Sequence, residues 1–176
     1  QNYKYLKYLL FIFLGSILIT LSAKIKIPFY PVPMTMQTFV IIMLGIVFGS
    51  KIGTATVFLY LIEGLFGLPV FSNSPERGVG LIYFTGPTMG YLIGFLFAAY
   101  SAGKIKLDSN YLEIIIKIIF CMLIIYCLGM LWLGILIGWD KPIFSLGAKP
   151  FLVAELLKIT LLIVSAKYLL KFRKFI

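Results

Sequence analysis

Two charged residues inside an otherwise apolar segment are the side chains of this sequence best placed to do chemistry. Glu155 and Lys158 interrupt a run that extends from Pro150 to Ala166. Residues three positions apart share one face of a helix, so both side chains can turn together toward a protein interior. An ionised group at membrane depth costs on the order of 3 kcal/mol or more and usually marks a substrate or ion path. The alternative is a structural pair in which Lys158 only neutralises Glu155.

The composition is that of an integral membrane protein. Hydrophobic residues make up 61% of the 176 residues and charged residues 12%, which is far from the mixture of a soluble domain. The net charge of +10 comes from Lys and Arg between the apolar runs and at both ends, where they set membrane orientation, and no pattern for nucleic-acid binding accompanies them. With no His, and with Cys121 and Cys127 in one apolar run, the sequence predicts neither a metal cluster nor a disulfide framework.

Apolar runs long enough to cross a membrane recur along the chain. They predict an all-α membrane domain over residues 1–176 with six transmembrane helices, at about residues 5–23, 35–48, 52–66, 86–103, 112–138 and 150–170. No signal-peptide cleavage pattern is present, so the first run is expected to stay as a helix.

The connections between these runs differ in character. Three prolines within residues 27–33 predict a stiff extended linker, after which the second helix starts near Thr35, a suitable N-cap. Only residues 49–53 separate the second and third helices, which predicts a tight helical hairpin. Residues 68–85 are polar and rich in Gly and Pro, and they predict a long loop with a binding or lid role.

Basic residues indicate the orientation of the chain in the cytoplasmic membrane. More of them flank the side that holds both chain ends (Lys4, Lys7, Lys51, Lys104, Lys106, Lys117, Lys167, Lys171, Arg173 and Lys174) than the opposite side (Lys24, Lys26, Arg77, Lys141 and Lys149). The more basic side is cytoplasmic by the positive-inside rule. Both termini are therefore expected inside and the 68–85 loop outside, with Glu155 and Lys158 at the floor of a pocket that opens outward.

Four motifs resemble one known family. They are Ile27-Pro-x-x-Pro-Val-Pro-Met-Thr-Met-Gln37-Thr, Leu59-Tyr-Leu-x-x-Gly64-x-x-Gly-Leu-Pro-Val-Phe71, Gly86-Pro-Thr-x-Gly-Tyr-Leu-x-Gly94-Phe and Pro150-Phe-Leu-x-x-Glu155-Leu-Leu-Lys158. In this order and spacing they resemble the BioY family, the biotin-binding S components of energy-coupling-factor (ECF) importers. The resemblance covers nearly the whole chain.

The chain departs from the family pattern at two places. The family usually carries Asp where Glu155 stands, preceded by Pro-Gly where this chain has Val153 and Ala154. The Gly-Gly of the fourth-helix motif is Met89-Gly90 here. Glu155 keeps the charge of the family Asp but moves the acceptor outward by about one methylene.

The resemblance implies a protein that captures biotin outside the cell and has no catalytic residues. It implies three partners besides the lipid bilayer, namely a transmembrane scaffold protein and two cytoplasmic ATPases, which use ATP while this chain binds no cofactor. The small-residue pattern where the family's first helix meets the scaffold falls on Ser16 and Thr20.

Biotin presents a ureido ring with two N–H donors and one acceptor, an apolar sulfur ring and a carboxylate tail. Glu155 suits the ureido donors, and Asn73 suits the ureido oxygen or the second donor. Lys158 and Arg77 are candidates for the carboxylate, although Lys158 can instead polarise the ureido oxygen. Further candidates are the hydroxyls of Thr88 and Tyr91 and the rings of Phe71, Tyr83 and Trp132.

Several of these residues have equally ordinary interpretations. Asn73 and Arg77 fit solvated loop residues, and Tyr91 fits helix packing. Gln37 fits a bond between helices better than a ligand contact. A stand-alone secondary carrier for biotin or another small carboxylate vitamin, with Glu155 as a proton-coupled group, is the alternative function. An enzyme is the least supported class, because the sequence has no His, no nucleophile motif and no phosphate-binding Gly-Lys loop.

Overall fold

The computed structural model describes residues 2–176, and helices dominate this part of the chain. The elements in order are α1 (Asn2–Lys24), β1 (Lys26–Ile27), β2 (Met34–Thr35), α2 (Gln37–Leu65), α3 (Leu81–Phe84), α4 (Met89–Ala102), α5 (Tyr111–Ile137), α6 (Ile143–Gly147) and α7 (Leu152–Phe172), with 3-10 turns at Lys149–Phe151 and Arg173–Phe175. The two strands pair antiparallel, with Lys26 opposite Thr35. They lie at the two ends of the Pro-rich segment 27–33, which was expected to be a stiff extended linker and which joins the two strands.

Helix α2 is folded back on itself at Gly49. This residue has φ 77° and ψ 172°, a conformation that glycine adopts at little cost. The two arms of α2 run antiparallel, because Gln37 near one end donates from Nε2 to the Tyr60 hydroxyl near the other at 2.8 Å. The prediction of an all-α membrane bundle is confirmed, and its six long segments are α1, the two arms of α2, α4, α5 and α7. Helices α1, α2 and α5 are long and apolar enough to cross a membrane, and α4 is a shorter apolar helix.

Three helix starts differ from the expected positions. Thr35 belongs to β2, and helix α2 begins at Gln37, whose backbone N–H donates to the Thr35 hydroxyl at 3.2 Å. Helix α4 begins at Met89, after a turn at residues 85–88. Helix α7 begins at Leu152, because a 3-10 turn that includes Pro150 precedes it. Residues 68–85 were predicted to form a loop, but they include the short helix α3.

Residues 25–36 and 66–88 cover one end of the bundle, and we call them the cap. The cap is held by two lysines, one at the end of α1 and one in β1. Lys24 donates from Nζ to the backbone oxygens of Phe71 and Ser74 at 2.7 and 2.8 Å, and Lys26 donates to the backbone oxygen of Ser72 at 2.5 Å. Cationic donors make stronger hydrogen bonds than neutral ones, so these contacts fasten the long segment to the end of α1.

Arg173 closes the opposite end of the bundle, which we call the tail end. Its guanidinium donates from Nε to the Ile46 carbonyl at 2.9 Å and from Nη1 to the Ile105 carbonyl at 2.8 Å. Partial burial lowers the pKa of Arg173 from its usual range, because desolvation disfavours the charged form. The carbonyl contacts offset this cost and join the C-terminus to α2 and to the turn after α4.

Helices α4 and α5 approach closely at glycines of α4. A Cβ atom at Gly94 would lie 2.8 Å from Cα of Ile125, and one at Gly90 would lie 2.3 Å from the Leu128 carbonyl oxygen. Small residues spaced four apart permit such backbone contact between membrane helices. The close approach brings the middle of α5, where Tyr126 lies, against the bundle interior.

Gly94→Val should destabilise the protein by about 1–3 kcal/mol, because the new side chain meets the backbone of α5. The measurement is the thermal unfolding midpoint in detergent. Phe97→Val on the same helix is the control, since Phe97 is 54% exposed on the outer surface of the bundle. Equal midpoints for the two variants would show that α4 and α5 are not in backbone contact at Gly94.

Candidate functional site

The two charged residues of α7 turn into the bundle and not toward lipid. Glu155 is 6% exposed and Lys158 is 7% exposed. Lys158 Nζ lies 2.9 Å from Glu155 Oε1, so the two residues form a buried ion pair on one face of the helix. Burying a pair stabilises a fold only when further hydrogen bonds complete its coordination.

Lys158 has all three of its donor positions used. Besides Glu155, its ammonium donates to the backbone oxygen of Thr35 at 2.6 Å and to the Thr38 hydroxyl oxygen at 3.1 Å. An ammonium carries three N–H donors and no acceptor. Lys158 therefore joins α7 to the β2 strand and to the start of α2.

Glu155 accepts from two hydroxyls in addition to Lys158. Thr38 Oγ1 lies 2.9 Å from Oε2, and the Tyr126 hydroxyl donates to Oε1 at 3.0 Å. We call Glu155, Lys158, Thr38 and Tyr126 the polar cluster. Its members come from α2, α5 and α7, and each buried charge in it has hydrogen-bond partners. Such a cluster can present a carboxylate in a fixed position to a ligand that carries N–H donors.

A small cavity lies between the polar cluster and the cap. Its volume is about 40 Å³, and it is lined by Glu155, Thr38, Tyr126, Tyr91, Thr88 and Tyr83 among others. Pockets for drug-sized ligands measure about 300–1,000 Å³. A vitamin-sized molecule therefore enters only if side chains of the wall or the cap move.

Asn73 and Arg77 line a second, smaller cavity toward the surface of the cap. Tyr83 and Thr88 line both cavities, so they form the partition between them. Asn73 accepts from Lys26 through Oδ1 at 3.2 Å. The Arg77 side chain is exposed, donates to the Pro31 carbonyl at 2.8 Å and stacks over the Tyr30 ring at 5.3 Å. The structure thus brings Asn73 and Arg77 close to the cavity mouth and away from the polar cluster.

The aromatic candidates divide into lining and supporting residues. Tyr91 lines the cavity and donates to the Gly147 carbonyl at 2.8 Å. Phe71 is buried behind the partition, where its ring stacks on Tyr83 with 4.5 Å between centroids. Trp132 donates from Nε1 to the Gly86 carbonyl at 2.8 Å and so fixes the turn before α4. Neither Phe71 nor Trp132 is among the residues that line the cavity in this structure.

The two small residues of α1 were predicted to contact the scaffold protein, but they do not both lie on the surface of the bundle. Ser16 is fully buried and donates to Glu63 Oε1 at 3.0 Å, so it faces this chain's own α2. Thr20 is half-buried and donates to the Ser16 carbonyl of its own helix at 3.0 Å. Of the two residues, Thr20 alone reaches the surface of the bundle.

Comparisons with known proteins agree over almost the whole chain. The BioY family model matches residues 2–175. The chain belongs to the BioY family. It is 34% identical to the probable biotin transporter BioY of Pyrococcus horikoshii, over 86% of this chain and 89% of that protein, and 34% identical to the biotin transporter BioY of Thermotoga maritima, over 89% and 90%.

A solved structure supports the same relationship for this BioY-family chain. The S-component for biotin from an ECF-type ABC transporter superposes with a TM-score of 0.73 at 26% identity, covering 99% of this chain and 93% of that one. The resemblance identified from the four sequence motifs is confirmed, as is the multi-pass membrane character.

Sequence reasoning about this BioY-family chain missed Thr38 and Tyr126 as partners of the central charge. Thr38 stands next to Gln37 inside a quoted motif, and Tyr126 is a phenol in the middle of a long apolar helix. A hydroxyl in an apolar helix needs a hydrogen-bond partner when it is buried, and this requirement could have indicated that Thr38 and Tyr126 contact the charged pair. Gln37 was interpreted as a bond between helices. Its side chain donates to Tyr60 on the other arm of α2, and the residue also lines the cavity.

Thr38→Val in this BioY-family chain should destabilise the fold by about 1–3 kcal/mol, because both Lys158 and Glu155 lose a buried hydrogen-bond partner. The measurement is thermal unfolding in detergent. Thr56→Val is the control, since Thr56 is also buried on α2 but donates only within its own helix, to the Ile52 carbonyl. An equal loss in both variants would show that Thr38 contributes packing alone.

Proposed function

We propose that this chain is the substrate-capture subunit of an ECF importer and that it takes up biotin across the cytoplasmic membrane. The observation that carries the proposal is a buried, hydrogen-bonded carboxylate on the wall of a cavity in a chain of the BioY family. The function is transport and not catalysis, in keeping with the relatives that are named biotin transporters. Capture requires no cofactor on this chain.

Glu155 is the proposed acceptor for the ureido N–H groups. Lys158 holds this carboxylate in position from behind, because the Lys158 ammonium is bonded to Glu155 and is not part of the cavity wall. A ligand N–H that approaches Glu155 then completes a charge-assisted hydrogen bond in a region of low dielectric. Thr88 and Tyr91 line the same cavity, and the Thr88 hydroxyl is the proposed further polar contact, since the Tyr91 hydroxyl is bonded to Gly147.

Arg77 is the proposed partner of the biotin carboxylate. The argument is its place at the exposed mouth of the second cavity, where an anionic tail keeps access to water. Asn73 lines the same small cavity. Its proposed role is to bond either the carboxylate tail of biotin or the nearer edge of the ureido ring. Phe71 supports Tyr83 from behind, so its proposed role is to shape the partition.

The orientation and the partners also belong to the proposal. The tail end carries more basic residues than the cap end, which places both termini in the cytoplasm and the cap outside. A transmembrane scaffold and two ATPases supply the energy, since the sequence has no phosphate-binding loop of its own. Helix α1 is the proposed scaffold-facing helix, with Thr20 as the member of the small-residue pair at the surface.

Purified protein should bind biotin in detergent without nucleotide, as measured by isothermal titration calorimetry. Arg77→Gln should weaken binding by roughly tenfold, about 1.4 kcal/mol, if it pairs with the carboxylate. Lys51→Gln, an exposed cation of the tail end, should leave the affinity unchanged. No heat of binding in the wild-type protein would reject biotin as the ligand.

Lys158→Met should weaken biotin binding by a few kcal/mol, because the buried Glu155 carboxylate loses the cationic hydrogen-bond partner that holds it in position. Thermal unfolding of the same sample separates loss of fold from loss of affinity. A folded variant with wild-type affinity would mean that the ion pair is structural and that the ligand binds elsewhere.

Thr20→Leu should leave biotin binding intact while reducing biotin uptake into cells that contain the partner subunits, because a larger side chain blocks close helix approach. Thr160→Leu is the matched control, since Thr160 is an exposed threonine of α7 whose hydroxyl also donates to its own helix. Equal uptake by the two variants would remove Thr20 from the scaffold interface.

A further inference from the structure

A deep apolar groove lies between α5 and α7 on the outer surface of the bundle. Its volume is about 220 Å³, and its rims are formed by exposed leucines such as Leu123 and Leu156, which are 56% and 63% exposed. Tyr126 and Glu155 line its floor with their apolar atoms. We call it the α5–α7 groove. Its walls meet the acyl region of the bilayer, because they belong to helices of a multi-pass membrane protein.

The α5–α7 groove continues toward the cap end as a shallower apolar surface. This second surface has a volume of about 450 Å³ and is lined by Cys127, Leu131 and Trp139 among others. Met130 and Phe144 line both features, so the two are joined. One apolar path therefore runs from Trp139 down to the floor at the polar cluster.

The upper end of this path has the residues of a membrane interface. Trp139 is 62% exposed there, and two exposed lysines flank the same loop, Lys141 and Lys149. Trp and Lys are typical of the level of lipid headgroups, and basic residues at that level attract phosphate groups. Lys141 pairs with Asp140 at 3.1 Å, but both side chains are largely exposed, and such a pair contributes little.

We propose that the α5–α7 groove binds one acyl chain of an anionic phospholipid, with the headgroup phosphate at Lys141 and Lys149. Water does not fill an apolar space of this kind, and an empty groove would leave its lining without contact atoms. A flexible hydrocarbon chain fits its shape and depth. The charge of the two lysines selects an anionic headgroup over a zwitterionic one.

A transmembrane helix of a partner is a poorer occupant for this groove. Helices pack closely in membranes where small residues line the contact. The rims here are branched or long side chains such as Leu123, Leu152 and Leu156, and Ala148 is the one small residue among the lining residues. The groove between these rims is narrow, and it fits a single hydrocarbon chain better than a helix.

The acyl chain would contact the back of the polar cluster. Tyr126 and Glu155 line both the groove and the cavity, so the Tyr126 ring separates lipid from the ligand side. A chain packed against this ring holds the hydroxyl toward Glu155 and excludes water from the carboxylate. Lipid bound in the groove therefore supports the geometry of the site from outside the cavity.

The test compares two tryptophan substitutions at neighbouring positions of α7. In Leu156→Trp the indole fills the groove, whereas in Leu157→Trp it points to bulk lipid, because Leu157 is 70% exposed and is not among the lining residues. Each protein is released from bilayers that contain palmitoyl-oleoyl phosphatidylglycerol, and native mass spectrometry counts the lipid that stays bound. Thermal unfolding confirms that both variants are folded.

The wild-type protein and Leu157→Trp should retain one phosphatidylglycerol, and Leu156→Trp should retain roughly tenfold less. Equal retention by the two variants would overturn the proposal. If Leu156→Trp does not fold, Leu123→Trp on the opposite rim replaces it, with Ile116→Trp as its control, since Ile116 is 58% exposed on the same helix and outside the groove.

A second arm tests the headgroup assignment. The double variant Lys141→Gln with Lys149→Gln should lose the preference for phosphatidylglycerol over phosphatidylcholine. Lys51→Gln with Lys174→Gln, two exposed lysines of the tail end, should keep it. An unchanged preference in the first double variant would reject these lysines as the phosphate site.

The coupling to the cavity rests on the proposed function and has its own readout. Biotin affinity should fall on delipidation and recover when phosphatidylglycerol is added, and in Leu156→Trp it should no longer depend on lipid. If the biotin affinity of the wild-type protein is the same with and without phosphatidylglycerol, the proposed coupling is wrong. If no biotin binds at all, the proposed function fails, while the lipid count still decides the acyl-chain site.

Discussion

A carboxylate and an ammonium buried in an apolar bundle constrain everything around them. Each ion loses its hydration, and their mutual attraction offsets that loss only when hydrogen bonds occupy the remaining donor and acceptor positions. Glu155 and Lys158 lie on one helix and cannot satisfy this condition alone. The Thr38 hydroxyl, the Thr35 carbonyl and the Tyr126 hydroxyl complete the coordination, and they come from different elements. The positions of α2, α5 and α7 relative to one another are thus fixed by one pair of charges.

The same constraint explains how a small cavity can belong to a binding site. Both charges of the polar cluster have hydrogen-bond partners in the absence of a ligand, so the empty site contains no unpaired charge. The partition formed by Tyr83 and Thr88 separates the polar cluster from the mouth where Arg77 lies. In the proposed function, the ligand moves the partition as it enters, and the contacts that it makes on both sides of the partition offset the cost of this step.

Local sequence patterns predicted the fold more completely than they predicted the site. Apolar runs predicted the long helices, and the i, i+3 spacing put Glu155 and Lys158 on one face, because both properties are local. The coordination of the charge was not local: Thr38 lies 117 positions before Glu155, and nothing in the spacing of either residue indicates the other. Ser16 shows the same limit, since a small residue that permits helix contact does not reveal which helix it contacts, and here the contact is with Glu63.

The cap is attached through main-chain oxygens, and this has an evolutionary and a practical consequence. Apart from one contact of Lys26 with the Asn73 side chain, Lys24 and Lys26 donate to main-chain carbonyl groups of the long segment. Every residue type provides such a carbonyl, so this attachment depends little on which side chains the segment carries there. Its outward positions are free to diverge, or to be redesigned, without loosening the fastening.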